Sequence, residues 1–440
     1  MANTQITWNN GTTGNRKTWT WSFWLKRSGL GAQQVVWSTK YNSSNYHLFR
    51  FNSNDTFSFK GVNSADGTIM DLDSNEVFRD SNAWYHFVLA VDSTQSTSAD
   101  RAKVYVNGTQ ITSFATADYG AQNQSFEINE ANNQVFWVGS ENGSNYFDGI
   151  LSHVWFIDGT QYAASTFGET DATTGIWKIK VSPTVTMGTN GFQILKDGNG
   201  ITDTSSNSNN FSASSGSLTN TEDCPDNNFS TMNNLIRSST GTFASGNNKF
   251  TNSSGANTAG FGSIGMFNGQ GKYYMEFKGV SGSNIGYGIS DFKSEGVIDR
   301  TQRGEARYVG EYANSYGYYS SGDFYYSGSS TGTGYDSFTS SDVIGIAVDM
   351  DNLKIYFHKN GTYQGSANPA SNNGYTIVAP EGGYLPTINV NNASAAANFG
   401  NGVFDTTAIS SEGTNASGIG KFEFDIPNGY TALSTKGLNE

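Results

Sequence analysis

Residues 342–365 read DVIGIAVDMDNLKIYFHKNGTYQG and predict a β-hairpin. Residues 343–349 and 353–359 are short runs rich in β-branched and aromatic side chains, which favour strands. The Asp-Met-Asp-Asn run between them is a turn sequence, and Asn360-Gly361 after the second strand is another. The stretch therefore predicts two antiparallel strands closed by a tight turn, with a third strand following at once.

The same strand pattern opens the chain, where residues 18–26 read TWTWSFWLK. Side chains alternate between the two faces of a strand, so Trp19, Trp21 and Phe23 share one apolar face with Leu25. Trp24 falls on the opposite face, among threonine and serine. We find no amphipathic helix of more than two turns, and further strands are predicted at residues 47–51, 56–60, 83–92, 103–111, 273–279, 285–290 and 388–390.

The composition of the 440 residues supports an all-β fold. Aromatic residues are 14% of the chain, and charged residues are also only 14%. Disordered chains have few aromatic residues and much charge, and helical bundles are rich in Ala, Glu, Lys and Leu. Aromatic residues suited to strands, with 52 glycines and many Asn and Ser suited to turns, instead predict antiparallel β-sandwiches.

Residue usage changes near residues 170–185. All nine tryptophans occur at or before Trp177, and all six prolines occur at or after Pro183. The polar stretch 197–220 then reads as a series of turns. We therefore expect a first sandwich over residues 1–170, an irregular connector over 171–228, a second sandwich over 229–405 and a C-terminal tail over 406–440.

Charge and cysteine content exclude several classes of protein. The net charge is −13, so the surface repels phosphate backbones and nucleic-acid binding is not expected. Cys224 is the only cysteine, which rules out a disulfide within the chain, and the four histidines lack metal-site spacing. The N-terminus shows no signal-peptide pattern. The longest apolar stretch, 343–348, is far too short for membrane insertion.

Motifs in each half resemble a known domain family. WSFWLKRS at 21–28, the segment 84–111 and FDGILSHVWFIDG at 147–159 resemble a LamG or concanavalin A-like jelly roll. KYYMEFKG at 272–279, IGYGIS at 285–290, SYGYYSSG at 315–322 and the 342–365 stretch resemble a SPRY domain. The resemblance implies an all-β protein built of two tandem antiparallel β-sandwiches.

The order of the two modules is similar to that in virion structural proteins of tailed phages, especially phages of aquatic bacteria. This resemblance implies a non-enzymatic tail fibre or appendage, assembled in the host cytoplasm and acting outside the cell. Its partners would be host surface polysaccharide or protein and other virion proteins, and it would form a homo-oligomer. Two alternatives stay open: a capsid-surface decoration or head fibre that contacts other virion proteins, and a polysaccharide-degrading enzyme.

The enzyme alternative arises because glucanases of the concanavalin A-like fold carry three carboxylates in an E-x-D-x-x-E or E-x-D-x-E motif on one strand. Alternation points such carboxylates into one cleft for acid and nucleophile chemistry. The nearest match, EFDIPN at 423–428, lacks the third carboxylate and lies in the tail. The sequence also lacks G-x-S-x-G, P-loop and H-E-x-x-H motifs. We therefore expect no catalytic residue.

Carbohydrate binding is the sharper hypothesis for the first half. Sugars stack their apolar faces on exposed aromatic rings, and Asn, Asp and Gly in nearby loops supply hydrogen bonds. The aromatic residues that lie off the apolar alternation or in polar loops are Trp24, Tyr41, Tyr46 and Tyr146. The alternative is that these rings fill the core or cover its rim.

Calcium is the one ion that the LamG resemblance suggests, bound at a loop rim by carboxylates and carbonyl oxygens. Asp71, Asp73 and Asp148 are the candidate ligands, with Asp66 nearby. The spacing after Asp71 does not form a calcium loop, because Glu76 stands where glycine is needed. A solvated acidic loop is the alternative, and no cofactor is required.

A tyrosine-dense stretch marks the second half. Tyrosine with Gly and Ser is typical of adaptable recognition surfaces, and SPRY domains bind peptides or proteins through loops at one edge. The alternative is that these rings fill a sheet, since tyrosine also favours strands. The protein-binding candidates are Tyr308, Tyr312, Tyr316, Tyr318, Tyr319, Tyr325 and Tyr326.

Overall fold

A computed structural model describes residues 3–131, 135–180, 182–196, 198, 200–237, 240–293, 308–332 and 334–439. The chain forms two compact units that divide between Leu218 and Thr219. Both units are all-β, and the described helical segments are 3₁₀ turns of three residues: Ser98–Asp100, Glu127–Asn129, Ala164–Thr166, Gln364–Ser366, Pro369–Ser371 and Gly437–Asn439. The expected fold class is confirmed.

The first unit contains sixteen described strands. They are β1 (Gln5–Asn9), β2 (Thr18–Arg27), β3 (Gln34–Asn42), β4 (Asn45–Phe51), β5 (Thr56–Asn63), β6 (Gly67–Val77), β7 (Trp84–Asp92), β8 (Ala102–Val106), β9 (Thr109–Ile111), β10 (Phe114–Asp118), β11 (Val135–Val138), β12 (Gly149–Asp158), β13 (Gly168–Thr170), β14 (Trp177–Ile179), β15 (Phe192–Ile194) and β16 (Ser212–Ser215).

Two antiparallel sheets enclose the core of the first unit. An eight-stranded sheet has the order β10-β6-β5-β4-β3-β11-β1-β16, and a six-stranded sheet has the order β15-β12-β2-β7-β8-β9. Trp19, Trp21, Phe23 and Leu25 lie in the core, as the alternation in β2 predicts. Trp21 stacks on Trp37 of the facing sheet at 4.3 Å between ring centroids. Aromatic packing of this kind holds the two sheets together.

The second unit contains eighteen described strands. They are β17 (Met232–Arg237), β18 (Gly241–Ala244), β19 (Lys249–Asn252), β20 (Thr258–Gly262), β21 (Lys272–Ser281), β22 (Asn284–Asp291), β23 (Ser315–Tyr319), β24 (Phe324–Tyr326), β25 (Ser329–Ser330), β26 (Val343–Asp349), β27 (Lys354–Lys359), β28 (Thr362–Tyr363), β29 (Tyr375–Thr376), β30 (Tyr384–Asn391), β31 (Ala393–Asn398), β32 (Val403–Phe404), β33 (Thr407–Ala408) and β34 (Thr431–Ala432).

A seven-stranded sheet, β17-β20-β30-β22-β23-β24-β25, faces a nine-stranded sheet whose path is β18-β19-β31-β21-β26-β27-β28. The hairpin predicted from residues 342–365 is present as β26 and β27, which pair from Ile344 with Lys359 to Asp349 with Lys354. β29 pairs with β27, and β34 pairs with β21 in parallel. Residues 342–365 therefore form one end of the nine-stranded sheet, where β28 is the last strand of the path.

Segments outside the two predicted sandwiches also take part in the units. Residues 171–228, expected to be an irregular connector, contain β14, β15 and β16. β15 pairs with β12, and β16 pairs with β1. In the tail, Phe422, Ile426, Tyr430 and Ala432 pack in a small core with Tyr274 and other residues of the second unit. Both segments thus complete the sheets or cover them.

Candidate functional site

Three neighbouring strands, β4, β5 and β6, present a polar row of side chains on the outside of the first unit. Their core-facing residues include Phe49, Phe51, Phe57, Phe59, Met70 and Leu72, together with the buried His47. Because strand side chains alternate, the residues between them face away from the core. These outward residues include Tyr46, Arg50, Ser58, Asp71 and Asp73. We call this surface the outer face of the eight-stranded sheet.

The outer face brings together several residues singled out in the sequence. Tyr46, Asp71 and Asp73 lie on β4 and β6, and Tyr46 is half-buried. Tyr146 forms a parallel bridge with Val35 of β3, which itself pairs with Arg50. Directly paired residues point to the same side of a sheet, so Tyr146 extends the outer face at its far edge.

Arg50 and Ser58 are the residues on this face that the sequence analysis missed. They pair with each other across β4 and β5, and Ser58 pairs with Asp73 across β5 and β6. The alternation of residues 47–51 and 56–60 could have placed both side chains opposite the apolar ones. Their position beside Asp73 depends on strand register, which short alternating segments do not specify alone.

Tyr41 lies apart from this cluster. It stands near the end of β3 and is 55% exposed, consistent with its position in a polar sequence context. Its neighbour Lys40 pairs with Tyr46, and the strand register shifts between Lys40 and Asn42, so Tyr41 lies at an irregularity of β3. Tyr41 is an exposed aromatic residue at the end of this strand.

The expectation that Trp24 is exposed is wrong, because Trp24 is only 3% exposed. Its ring stacks on His86 at 4.6 Å and packs in a small cluster with Trp84 and Ile179. Ile179 and Trp177 belong to β14, which pairs with β13 in a hairpin that covers this side of the six-stranded sheet. A polar alternation marks this face in the sequence, but a later segment buries it, so Trp24 cannot stack on a sugar.

His86 and Ser22 form a buried hydrogen-bonded pair beneath this hairpin. The indole N–H of Trp177 donates to Nδ1 of His86 at 3.0 Å. Accepting at Nδ1 fixes the neutral tautomer with hydrogen on Nε2, which then donates to the Ser22 Oγ at 2.9 Å. Burial lowers the pKa of His86 to about 3. In this tautomer His86 has no lone pair for the Ser22 proton, so the pair is structural.

The three calcium candidates do not converge. Asp71 makes an ion pair with Lys60, with 2.9 Å between Oδ2 and Nζ. Asp148 lies near Gly29 and Gln34, and burial raises the pKa of its carboxyl group. Over the described parts of the chain, no group of three or more His, Cys, Asp or Glu side chains is placed to hold a metal ion. A calcium site at these three residues stays a prediction without geometric support.

The tyrosines of the second unit separate into two groups. Tyr316 and Tyr318 are fully buried and Tyr319 is 8% exposed, so the expectation that these three are available to a partner is wrong. They lie on β23, where Tyr316 Oη accepts from the Val378 N–H at 2.9 Å. Their rings fill the sandwich. The half-buried tyrosines, which remain candidates for protein binding, are Tyr308, Tyr312, Tyr325 and Tyr326.

A buried carboxylate ties the tail to the second unit. Glu276 is fully buried on β21, on the side away from the core. Its two oxygens accept from the backbone N–H groups of Glu423 at 2.9 Å and Phe424 at 2.8 Å. The Asn398 amide and the Tyr274 hydroxyl each donate to it at 3.1 Å. The tail stretch that resembled a carboxylate motif therefore supplies donors to Glu276.

His358 continues this network. Its Nδ1 accepts from the Gly361 N–H at 3.0 Å, so Nε2 carries the hydrogen and donates to the Tyr274 hydroxyl at 2.6 Å. Burial lowers the pKa of His358 to about 4 and raises the pKa of Glu276 to about 7. Each polar group in the network has a partner, and its position under the tail indicates a structural role.

No helix in the described part of the chain has the length and apolar character needed to cross a membrane.

Comparison with known proteins identifies both modules. Residues 1–165 match the family model of the concanavalin A-like lectin/glucanases superfamily, and residues 272–402 match that of the SPRY domain. The chain therefore contains a LamG/concanavalin A-like domain followed by a SPRY domain. Among curated proteins, none matches the chain.

Three solved structures illustrate the similarity. The SPRY domain of human HERC1 is 18% identical, covering 38% of this chain and 96% of its own, with a TM-score of 0.30. The TRIM65 PSpry domain is 10% identical, and the match covers 38% of this chain and 89% of that domain, with a TM-score of 0.29. The SAP-like pentraxin from Limulus polyphemus is 14% identical, and the match covers 36% of this chain and 71% of the pentraxin chain, with a TM-score of 0.27.

Proposed function

Because a concanavalin A-like domain is joined to a SPRY domain, we propose that the chain is a non-enzymatic binding protein of a tailed-phage virion. It attaches the particle to polysaccharide on the host surface through the outer face of the eight-stranded sheet. The observation that carries this proposal is the gathering of Tyr46, Tyr146, Arg50 and Asp73 on one surface. The order of the two modules supports the assignment to a virion.

The chemistry of the outer face suits a polysaccharide. Tyr46 and Tyr146 are half-buried, so part of each ring is accessible to the apolar face of a sugar. Arg50 and Asp73 supply donors and acceptors for hydroxyl groups. A single open face of this kind binds weakly. Many copies on one particle, as a homo-oligomer or a repeated appendage, would make attachment effective.

The SPRY domain supplies the second contact. Its half-buried tyrosines, including Tyr308 and Tyr325, suit a protein surface, because large rigid rings lose little entropy on binding. We assign this side to other virion proteins or to a host protein. We propose that binding through the first domain requires no cofactor; one of the three calcium candidates, Asp71, is paired with Lys60.

The test is binding of the full-length chain to surface polysaccharides extracted from aquatic bacteria and to a glycan array. Each is measured with the single chain and with a multivalent display, with and without EDTA. We expect saturable binding that survives EDTA and falls in Tyr46→Ala and Tyr146→Ala. Phe267→Ala is the control, because Phe267 is an aromatic residue of the second unit with 47% exposure.

Three results would change the assignment. No glycan binding in either format, with capture of purified capsids, would favour a capsid decoration. Loss of binding in EDTA would restore the calcium hypothesis. Release of reducing sugar from a bound polysaccharide would make the protein an enzyme.

A further inference from the structure

Arg50, Ser58 and Asp73 stand side by side on the outer face, and we propose that they form a binding site for a neutral saccharide. This inference rests on the proposed function and assigns its ligand class and contact residues. All three side chains point away from the core of the first unit. Three features support the site: the strand register of these residues, their unpaired polar atoms, and the donors and acceptors that they offer to a ligand.

The three residues belong to one row that crosses the sheet. Arg50 pairs with Ser58, and Ser58 pairs with Asp73. The row continues to Thr116 of β10 on one side. On the other side it runs through Val35 to Tyr146. The aromatic ring of Tyr146 thus stands at one end of the row, separated from Arg50 by the buried, apolar Val35.

Polar atoms along this row are buried without partners. Ser58 is fully buried, and its Oγ makes no hydrogen bond. The Nε of Arg50 and the Oδ1 of Asp73 are also buried and without a partner. A buried polar group normally finds a hydrogen bond, because leaving it unpaired costs free energy. Three such atoms on adjacent strands indicate a surface that is completed by something it binds.

The two charges of the row do not neutralise each other. Neighbouring strands are about 4.8 Å apart, so Arg50 and Asp73, two strands apart, are separated by about 10 Å at the backbone. The described residues provide no ion pair for either side chain. The adjacent row differs, because Lys60 and Asp71 lie on neighbouring strands and pair at 2.9 Å. The short Ser58 side chain therefore lies at the base of a gap between two opposite charges.

The ligand must satisfy a donor, an acceptor and a group that is both. The Arg50 guanidinium only donates, the Asp73 carboxylate only accepts, and the Ser58 hydroxyl does either. Hydroxyl groups also do either, so neighbouring hydroxyls of one sugar ring can accept from Arg50 and donate to Asp73. The row carries one positive and one negative charge, which favours a neutral saccharide over an acidic one. Tyr146 adds a surface for the sugar's apolar face.

The experiment measures affinity and stability together in the full-length chain. Arg50→Gln, Ser58→Ala and Asp73→Asn are titrated with the neutral saccharide that binds the wild type best on the glycan array. We expect Arg50→Gln and Asp73→Asn each to lower affinity about tenfold or more, because each removes a charged hydrogen-bonding partner. We expect Tm to stay unchanged or rise in Ser58→Ala, because its hydroxyl has no partner to lose.

Lys103→Gln is the matched control. Lys103 lies on β8 of the other sheet and pairs with the exposed Asp100 at 3.0 Å, so its loss should not change affinity. Wild-type binding of a neutral saccharide with unchanged affinity in all three row variants would overturn the site and leave the proposed function standing. A preference for uronic-acid saccharides would overturn the ligand class. Absence of any saccharide binding by the wild type would overturn both proposals.

Discussion

Each unit carries a buried carboxylate or hydroxyl on the side of a sheet that faces away from the core. The two groups differ in their hydrogen bonds. Glu276 of the second unit accepts from four donors, two of them backbone N–H groups of the tail. Ser58 of the first unit is equally buried and has no partner. One surface is covered by the chain itself, and the other is left incomplete.

The difference separates a polar group that stabilises the fold from the row that we propose binds a saccharide. A satisfied buried carboxylate stabilises the fold, because removing it would leave several donors unpaired. An unsatisfied row costs stability in the free protein, and proteins retain such costs chiefly where function needs them. The unsatisfied row on the outer face is therefore the surface that we propose binds a ligand.

The largest difference that we expect between the two units is the loss of stability of the first unit at acidic pH. Burial lowers the pKa of His47 and of His86 from 6.5 to about 3, so both bind protons more weakly in the folded state. Their contribution to stability is present above pH 6.5 and is lost as the pH falls toward 3. We expect the first unit to lose several kcal/mol over this range, because the two histidines outweigh Glu127, whose pKa is raised to about 7 and whose contribution has the opposite sign. Tryptophan fluorescence reports it specifically, because all nine tryptophans lie at or before Trp177.

The second unit should respond less over the same range. His358, with its pKa lowered to about 4, loses its contribution on acidification in the same way. Glu276 has the opposite sign, because its pKa is raised from 4.5 to about 7 and its contribution is full below 4.5 and lost as the pH rises through 7. The contributions of His358 and Glu276 to the free energy of unfolding therefore change in opposite directions between about pH 4.5 and 6.5. Peptide-resolved hydrogen exchange would contradict this if both units lost protection in parallel.

Glu276→Ala gives the next largest effect. It leaves the two backbone N–H groups of the tail without an acceptor, each costing about 1–3 kcal/mol, and the Asn398 amide keeps only its bond to the Lys421 carbonyl. We expect a loss of about 3 kcal/mol or more in the second unit and faster proteolysis of residues 413–434. Glu423→Gln is the control, because only the backbone of Glu423 contacts Glu276. Equal stability of the two variants would show that the tail is held by apolar packing alone.

Trp177→Phe tests the covered side of the six-stranded sheet. The substitution keeps an aromatic ring but removes the N–H that donates to His86 Nδ1. We expect a loss of about 1–3 kcal/mol in the first unit by denaturant unfolding, with unchanged saccharide affinity. Ile176→Ala at the adjacent position, which is 66% exposed, should have no measurable effect. A drop in saccharide affinity would mean that this side, and not the outer face, binds the ligand.

The smallest effect comes from two buried serines of the same unit. Ser22 Oγ is hydrogen-bonded to His86 Nε2 at 2.9 Å, whereas Ser58 Oγ has no partner. Ser22→Ala should cost about 1 kcal/mol, and Ser58→Ala should change stability little or raise it slightly. Paired urea titrations measure the difference. A larger loss in Ser58→Ala than in Ser22→Ala would show that Ser58 has a structural partner and would remove the contrast between the two faces.

Much of the fold follows from local sequence. The alternation in residues 18–26 places Trp19 and Trp21 in the core, and residues 342–365 form the hairpin that their turns predict. These predictions hold because one apolar face per strand is a local property. Trp24 shows the limit of this reasoning. Its own strand marks it as outward, but β14, more than 150 residues later in the sequence, covers it.

The candidate site was predictable only in part. Tyr46, Tyr146 and Asp73 are noticeable in the sequence as aromatic or acidic residues off the apolar pattern. Arg50 and Ser58 are not, because an arginine or serine on the polar side of a strand is ordinary. What distinguishes them is the absence of partners, which depends on register across β4, β5 and β6 and is a property of the folded sheet.

The two ends of the second unit lie next to each other. Ser230 N–H donates to the Leu433 carbonyl, and Thr435 N–H donates to the Asn228 carbonyl, both at 2.9 Å. A domain whose ends adjoin can be circularly permuted or inserted into a loop of another protein with little change in its contacts. A short linker joining these ends, with a new opening in the exposed Asn360–Gly361 turn, would give a rearranged chain with the same strand pairings. The fold of the second unit therefore does not depend on where along its sequence the chain enters and leaves it.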